Sequence, residues 1–486
     1  MFKHIVGAII SLMVFVVSAG LLISGDYKPR VALSLLASDS FQGREAELMA
    51  LADANRIDLT VTWVNARRMR TAIKMGIYTD AIWPASSLWV EGADLHHVTP
   101  TLKDPIGLAV QKPIVDALGW GGGSDLTTED MMTAAQSGAF ALALPAPAQT
   151  DVGALALLGL MQAAWGAESL TTDALESSGL VDTLTNQLAS VDRAPGVADW
   201  LIRPAASGRV QAVFASASQV AAYNARAEVP LVLIRPSDFQ SALDGPLAFV
   251  PGHATEKEQA FLTLRDALVQ QSPNDSVDLP PLEVARLALD LYQTRLRKPS
   301  LTVWLVDATG NGPDWVKTAL QGQFNPDQQA VAGTQATSGD ISIVIPFAEN
   351  IGPPIVVEGN DPTDLAHARR EIAAMGAQPG ERDLWYALYE AFEAMVPYQQ
   401  GHALTTHLPA VIVMTRGQSI SDTRDALFAH LAQTPFSGQV PVQGVWSGDT
   451  PPPALIEITG ATGGQPFDGS NATTRIDALN AARAGN

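Results

Sequence analysis

The stretch Leu301-Thr302-Val303-Trp304-Leu305-Val306-Asp307-Ala308-Thr309-Gly310-Asn311-Gly312 decides the fold of the C-terminal part of this chain. Its first six residues are mostly apolar, which predicts a buried strand, and Asp307 then opens a small polar loop. In open α/β sheets, ligands bind beyond the carboxyl ends of the strands. The stretch therefore predicts that Asp307 stands at a binding edge of a sheet.

The residues that follow alternate between strand-like and helical patterns, which predicts a doubly wound sheet. The predicted strands are 340–347, 409–415 and 440–446, and the predicted helices are 315–321, 383–396, 422–431 and 476–482. With the loop after Asp307 and the ending Ile458-Thr459-Gly460-Ala461-Thr462-Gly463-Gly464, residues 300–486 resemble a von Willebrand factor A (VWA) domain. The resemblance implies a Rossmann-like fold and a role in adhesion or complex assembly.

The VWA resemblance also implies a Mg²⁺ site built from an Asp-x-Ser-x-Ser loop, a threonine and an aspartate. In this chain Asp307 is kept, Thr309 and Asn311 replace the two serines, and Arg382 and Arg416 replace the threonine and the aspartate. One guanidinium about 5 Å from a divalent cation costs about 6–7 kcal/mol at an effective dielectric constant of 20. We therefore expect a degenerate site in which Mg²⁺ is possible but disfavoured, and no other cofactor.

The two arginines are expected to take the place of the metal. A buried carboxylate needs a cationic partner, so Arg382, Arg416 or both would pair with Asp307. Two alternatives remain open: both arginines point to solvent while Asp307 caps a helix, or Asp383 supplies a replacement metal ligand. The surface above Asp307 is the predicted contact face for an unknown protein partner.

The N-terminal half also alternates, with predicted strands at 31–36 and 57–64 and helices at 45–55 and 66–75. Further motifs follow in the order Asp80-Ala81-Ile82-Trp83-Pro84-Ala85-Ser86-Ser87-Leu88-Trp89, 103–110, Gly119-Trp120, Tyr223-Asn224 and 229–236. In that order they resemble a bacterial extracellular solute-binding domain of the two-lobed, type II-like kind. The resemblance implies two α/β lobes around a cleft, with 107–110 and 231–235 as crossovers between the lobes.

The cleft of such a domain binds ligands near helix starts, and the resemblance makes Ser86 and Thr150 the candidate cleft residues. Thr150 or Asp151 is also the expected N-cap of an apolar helix at 152–164. Arg67 and Arg68 can attract an anion, although a solvated helix start is the expected role for both. We therefore expect the cleft to be a candidate site for a small-molecule solute, whose identity the sequence does not give.

Residues 5–23 contain no charged side chain, and nineteen such residues can span a bilayer as one helix. The apolar run continues past the signal-peptidase-like site Val17-Ser18-Ala19, which favours an uncleaved anchor over a cleaved signal. The rest of the chain would then lie on one side of the cell membrane, outside the cytoplasm.

The overall composition restricts the function further. A length of 486 residues predicts more than one domain. A net charge of −20 argues against binding to nucleic acid. The absence of cysteine excludes disulfides, thiolate metal sites and cysteine nucleophiles. Motifs of serine hydrolases and zinc proteases are missing as well, so we expect no enzyme.

The predicted organisation is α/β throughout. It has an N-terminal anchor at 1–27, a periplasmic-binding-protein-like domain at 28–271, a linker and helix at 272–299 and a VWA-like domain at 300–486. The expected function is a membrane-anchored binding or scaffold protein that engages a protein partner through the VWA-like domain. The alternative is a solute-binding receptor linked to transport or sensing. An ordered polar cleft would favour the receptor, and a cleft filled by its own side chains would favour the scaffold.

Overall fold

The computed structural model describes residues 30–122, 125–166, 169–194, 208–270, 277–400, 406–420, 423–434 and 440–484. They form a mixed α/β structure with three sheets. The predicted membrane segment at 5–23 lies outside the described residues. Within the described ranges, no helix combines the length and the apolar character that crossing a bilayer requires.

The strands are numbered in chain order. They are β1 Val31–Ser38, β2 Ile57–Val64, β3 Ala81–Trp83, β4 His96–Pro100, β5 Asp104–Gln111, β6 Leu142–Pro145, β7 Val191–Ala194, β8 Ala212–Ser216, β9 Leu231–Ile234, β10 Ala242–Leu243, β11 Pro246–Phe249, β12 Ser300–Asp307, β13 Ile341–Phe347, β14 Ile355–Glu358, β15 Leu408–Thr415, β16 Val442–Trp446 and β17 Pro466–Asp468.

The helices are numbered in the same way. They are α1 Glu45–Ala54, α2 Ala66–Met75, α3 Lys112–Leu118, α4 Thr128–Gln136, α5 Asp151–Trp165, α6 Thr172–Glu176, α7 Ser178–Leu188, α8 Ala217–Asn224, α9 Thr255–Val269, α10 Leu282–Leu291, α11 Asp314–Gly322, α12 Pro326–Ala332, α13 Pro362–Ala374, α14 Leu384–Gln400, α15 Arg424–Gln433, α16 Pro453–Thr462 and α17 Ala472–Ala484. Short 3₁₀ segments lie at Asp39–Arg44, Ser87–Val90 and Trp120–Gly122, and a π-helical turn at Tyr292–Leu296 extends α10.

The third sheet has the strand order β14-β13-β12-β15-β16-β17, in which β14 alone runs antiparallel to its neighbour. Alternate residues of β12 point to opposite faces. Val303 and Leu305 pack towards α14 and α16, whereas Trp304 and Val306 pack towards α11, α13 and α17. Because both faces are covered, β12 is buried along its whole length, which explains its continuous apolar sequence.

The first two sheets lie in the N-terminal half. The first has the order β2-β1-β3-β11-β4, and the second has the order β10-β5-β8-β6-β7 with β9 paired to β5. The crossovers predicted at 107–110 and 231–235 are wrong, since these segments lie in β5 and β9, which pair with each other within the second sheet. The chain passes between the sheets at 101–103, between β4 and β5, and at 244–245, between β10 and β11.

The two halves of the chain contact each other directly. Helix α10 packs into the core of the N-terminal half, with Val284, Ala288 and Tyr292 buried in it. At its end, Arg297 forms a buried ion pair with Asp340, which precedes β13. This buried ion pair thus lies where the segment after α10 leads into the third sheet.

Candidate functional site

Asp307 ends β12 and is completely buried beneath the loop that follows it. One carboxylate oxygen accepts hydrogen bonds from the backbone N–H and the hydroxyl of Thr309, at 3.1 and 2.7 Å. The other oxygen accepts from Arg382 Nε at 2.6 Å, from Thr415 Oγ1 at 3.1 Å and from the backbone N–H of Arg416 at 3.1 Å. Five donors of the chain itself therefore satisfy this carboxylate.

The strand order explains why these groups meet. Strands β12 and β15 are parallel neighbours, with Val306 beside Met414, so the chain ends of the two strands lie next to each other. The strand order of the third sheet reverses between these two strands, which is the point where open α/β sheets bind ligands. Asp307 and Thr415 therefore stand where the fold places a site.

Arg382 reaches the site from the loop before α14. Its Nη2 donates to Thr309 Oγ1 at 2.8 Å, and its Nη1 donates to the carbonyl oxygen of Gln418 at 3.0 Å. The backbone N–H of Ile420 donates to the Arg382 carbonyl oxygen at 2.9 Å, which holds the two loops together. The guanidinium thus bridges three loops while 18% of the side chain stays exposed.

Of the two arginines predicted as partners of Asp307, Arg382 forms the ion pair and Arg416 contributes its backbone. Its backbone N–H, and not its guanidinium, contacts Asp307, and its Nη2 donates to the Thr309 carbonyl oxygen at 2.8 Å. Asn311 lies exposed in the loop. Asp383 accepts from the Tyr386 backbone N–H at 3.0 Å, as the cap of α14. The alternatives with solvent-pointing arginines or with Asp383 as a replacement ligand do not describe this geometry.

The protonation of Asp307 follows from its partners. Burial by itself would raise the pKa of Asp307, but the Thr309 hydroxyl, the Arg382 guanidinium and the Arg416 backbone N–H together hold it below its ordinary value. Asp307 is therefore ionised at neutral pH and balances the charge of Arg382.

This donor set does not fit a hard divalent cation, which needs several free oxygen ligands. Both oxygens of Asp307 accept hydrogen bonds, and Thr309 Oγ1 donates to Asp307 while accepting from Arg382. Among the described residues, no group of three or more acidic, histidine or cysteine side chains could hold a metal. The carboxyl edge of the third sheet therefore presents the fixed guanidinium of Arg382 beside the buried carboxylate of Asp307.

A second candidate site is a cavity of about 170 Å³ between the first two sheets and the C-terminal domain. Segments that follow three strands line it: Asp39 after β1, Asn65 after β2, and Thr150 with Asp151 after β6. Side chains of the C-terminal half complete its wall, namely Phe467, Ala481 and Ala484. The cleft is therefore covered by the chain's own second half.

Carboxylates occupy the helix starts that face this cavity. Asp151 accepts hydrogen bonds from Trp89 Nε1 at 2.8 Å and from Ser38 Oγ at 3.4 Å. The buried guanidinium of Arg70 lies 4.5 Å above the Trp89 ring and lowers the pKa of Asp151, although burial raises it more strongly. Burial and the neighbouring Asp151 raise the pKa of Asp39 to about 7. Two acids facing the cavity make it a poor site for an anion.

Of the two residues predicted to line the cleft, Thr150 does so and Ser86 does not. Thr150 lines the cavity and caps α5, because its hydroxyl accepts from the Gly153 backbone N–H at 3.1 Å. Ser86 is completely buried and caps the 3₁₀ segment at Ser87–Val90 through the Leu88 backbone N–H, so its expected position in the cleft is corrected.

The role expected for Arg67 and Arg68 is also corrected. Both form ion pairs with Asp477 of α17, and Arg68 Nε lies 2.6 Å from Asp477 Oδ2. Both arginines are therefore paired with a carboxylate of the chain itself, although 40% of the Arg68 side chain stays exposed. They attach the second half of the chain to the rim of the cleft.

Comparisons with known proteins find likeness in structure only. No family model and no curated protein matches the chain. A periplasmic molybdate-binding protein of Azotobacter vinelandii is 15% identical over 51% of this chain and 99% of its own, with a TM-score of 0.33. A putative extracellular solute-binding protein of Bordetella parapertussis is 10% identical over 55% of this chain and 98% of its own, with a TM-score of 0.40. A von Willebrand factor type A protein of Catenulispora acidiphila is 17% identical over 39% of this chain and 43% of its own, with a TM-score of 0.30.

These neighbours are of the two kinds that the sequence resemblances name. At such identities the likeness concerns the course of the chain and not the ligand.

The sequence did not predict the contacts of several residues at the two sites. Thr415 ends a predicted strand, and its strand order with β12 would have placed it beside Asp307. Asp39, Arg70 and Asp151 carry no local signal of their contact, because they come together only when the lobes pack. Asp477 lies more than 400 residues from its arginine partners.

Proposed function

We propose that this chain is a membrane-anchored, extracytoplasmic scaffold protein without enzymatic activity. Its second domain would engage a protein partner at the edge around Asp307, and it would do so without a metal ion. The observation that carries the proposal is the closed network in which Arg382 fills the position beside Asp307.

The network supports a binding role because it pre-orders the surface. Arg382 is fixed by three acceptors and Arg416 by one, yet both side chains reach the surface. A side chain that is already fixed loses little conformational entropy when a partner docks. A planar guanidinium also offers directed hydrogen bonds to carboxylate or carbonyl oxygens of another protein.

The first domain supports a scaffold role over a receptor role. Asp39 and Asp151 occupy the helix starts that would otherwise face a ligand, and α17 of the second domain lies over the cleft mouth. A solute receptor has to open and close around its ligand. The ion pairs of Asp477 with Arg67 and Arg68 instead tie the rim of the cleft to the second domain.

Site-directed photocrosslinking in the native host tests the proposal. A photoreactive amino acid in place of Gln418, which is exposed beside Arg382, should crosslink to one protein of constant mass. The matched control carries the same amino acid in place of Ile456, which is 49% exposed on α16 of the same domain. Adding Arg416→Glu should abolish the adduct at position 418.

The proposal fails if position 418 gives no adduct, or if the same adduct forms at position 456. It also fails in its metal-free part if isothermal titration of the purified full chain detects stoichiometric Mg²⁺ that Asp307→Ala removes.

The second candidate function is a small-solute receptor, which the cavity of about 170 Å³ beside Thr150 favours. Native mass spectrometry of the purified full chain in detergent tests it. A copurified small molecule that is lost when Gln149→Trp narrows the cavity would put this function first, whereas an unmodified mass would support the scaffold.

A further inference from the structure

One edge of the first sheet is unusually apolar where it is exposed. Met75 and Tyr78 lie in and just after the end of α2, and 74% and 95% of their surfaces are exposed. Ile77, which precedes Tyr78 in the chain, is partly buried with Leu95 and Val250, and all three pack against the small core of Ile82, Val90 and Ala248. We call the five residues Met75, Ile77, Tyr78, Leu95 and Val250 the base patch. Single exposed apolar residues are common, but several apolar side chains at one edge of a sheet make a candidate interaction surface.

The sheet topology places the base patch at the edge where the chain enters the first domain. Strand β3 runs parallel to β1 with Ala81 beside Leu35, so the residues before β3 lie near the start of β1. Asp80, just before β3, also lies near the start of β1, since its carboxylate accepts a hydrogen bond from the Ser34 backbone N–H at 2.8 Å. Strand β11 runs the other way and ends at the same edge, where the Val250 backbone N–H donates to the Asp80 carbonyl oxygen at 3.0 Å.

The sequence limits the distance between this edge and a bilayer. Seven residues, 24–30, separate the uncharged run at 5–23 from Val31, the first residue of β1. Seven extended residues span at most about 25 Å. This edge of the first sheet, and not the carboxyl edge that faces the cleft, is therefore the side next to the membrane.

We propose that the base patch rests on the lipid surface that holds the N-terminal anchor. The proposal rests on the membrane anchorage proposed above. Tyr78 suits the headgroup layer because its ring is apolar and its hydroxyl is polar, and Met75 is a flexible apolar side chain that fits irregular surroundings. The contact orients the molecule, with the cleft and the second domain directed away from the bilayer.

The chain contains no cysteine, so a single introduced cysteine carries a unique label. Tyr78→Cys and, separately, Met75→Cys are labelled with an environment-sensitive fluorophore in the full chain. The matched controls are Val229→Cys, 41% exposed in the second lobe, and Ile456→Cys, 49% exposed in the second domain. All four chains are placed in nanodiscs of phosphatidylcholine and phosphatidylglycerol, with or without lipids that carry a nitroxide on the headgroup.

We expect the nitroxide lipids to quench the label at positions 75 and 78 severalfold and to leave the labels at 229 and 456 unchanged. Equal quenching at all four positions, or none at 75 and 78, overturns the proposal while leaving the anchor intact. A chain that does not comigrate with the nanodiscs refutes the anchor and the patch together. Neither result affects the photocrosslinking test of the second domain.

Discussion

At the scale of single residues, the carboxylate of Asp307 depends on a few donors that come from distant parts of the chain. Arg382 is its only side-chain cation in the described residues, at 2.6 Å. Because Asp307 is buried, loss of that cation leaves an ionised carboxylate with four hydrogen-bond donors but no cationic partner.

Arg382→Ala should therefore lower the free energy of unfolding by about 3 kcal/mol, since it leaves a buried carboxylate unpaired. Urea unfolding of the full chain measures the shift. The matched control is Arg424→Ala, which breaks an ion pair with Glu457 on the surface of the same domain and should leave the midpoint unchanged. Equal shifts in the two variants would contradict the buried pairing.

A second prediction concerns Asp39, whose pKa is raised to about 7 because protein atoms displace water around its carboxyl group and because Asp151 lies nearby. Much of the residue remains exposed, so solvent screening keeps the expected effect on stability small. The folded state favours the protonated acid, so its stabilisation is complete below the ordinary pKa and is lost as pH rises through 7. Asp39→Asn mimics the protonated form. The variant should melt at a higher temperature than the wild type at pH 8 and at the same temperature at pH 4.

Scanning calorimetry of both chains across that range measures the difference. Asp58→Asn, an exposed acid on β2, serves as the control and should show no such pH-dependent gain. If the melting temperatures of Asp39→Asn and the wild type differ by the same amount at every pH, the pKa of Asp39 is not raised.

The sequence predicted part of this residue-scale picture. Arg382 and Arg416 were placed beside Asp307 through the VWA pattern, and both are there. The exact donor of Arg416 was not predictable, because backbone and guanidinium N–H groups of one residue reach the same carboxylate from the same loop. The Asp151, Arg70 and Trp89 cluster was missed, since its members have no fixed spacing in the chain.

At the scale of elements, two glycines near the end of α16 differ in the space around them, and this difference tests how α16 and β16 pack. A Cβ atom on Gly464 would collide with the backbone carbonyl of Val442, at the start of β16. A Cβ atom on Gly460, four residues earlier in α16, would meet no atom within 4 Å. The two glycines form a matched pair within one short segment.

Gly464→Ala should destabilise the second domain by a few kcal/mol, because the backbone of β16 has to move. Gly460→Ala should stabilise the chain by about 0.5–1 kcal/mol, since alanine favours the helix. Thermal unfolding followed by far-ultraviolet circular dichroism compares the two. Changes of the same sign would show that α16 and β16 do not pack as described.

The elements that the sequence predicted best are the long ones with strong periodicity. Strand β12, helix α14 and strand β15 lie within a few residues of their predicted positions. No prediction covered β14, α12 or α13, and β14 is an edge strand of only four residues. Edge strands bury one side only and therefore carry a weak apolar signal.

At the scale of the whole molecule, ionic contacts join the halves, and two of those in the described residues centre on Asp340 and Asp477. Asp340 accepts from the Arg297 guanidinium, from the Ser300 backbone N–H at 2.6 Å and from the Thr337 backbone N–H at 2.9 Å. Burial opposes its ionisation, but Arg297 and these N–H groups lower its pKa to about 2. The predicted boundaries at 271 and 299 fall on either side of the helix that carries Arg297, and they stay predictions.

Asp340 should make stability fall steeply in acid. Its folded pKa lies below the ordinary 3.8, so its contribution of about 2 kcal/mol is complete above pH 4 and disappears as pH falls towards 2. Asp340→Asn should flatten the stability profile between pH 4 and 2. Urea midpoints at several pH values measure this, and parallel profiles for the two chains would contradict it.

Asp477 makes the second contact, with Arg67 and Arg68. Asp477→Arg places three cations together and should separate the unfolding of the two halves into distinct calorimetric transitions, the first at lower temperature. Asp425→Arg, at a residue that is 94% exposed, is the control and should change neither number nor position of the transitions. No local sequence pattern predicts the contact of Asp477 with Arg67 and Arg68, because it depends on how the surfaces of two folded domains fit together.

The pairing of Asp307 with Arg382 has a consequence for regulation. A bound ion equilibrates with its surroundings, so a contact that needs it can be weakened by a chelator or tuned by ion supply. A guanidinium that belongs to the covalent chain is present in every copy at every ion concentration. A partner docked at this edge would be held constitutively, and its release would have to depend on something other than the divalent cations of the medium.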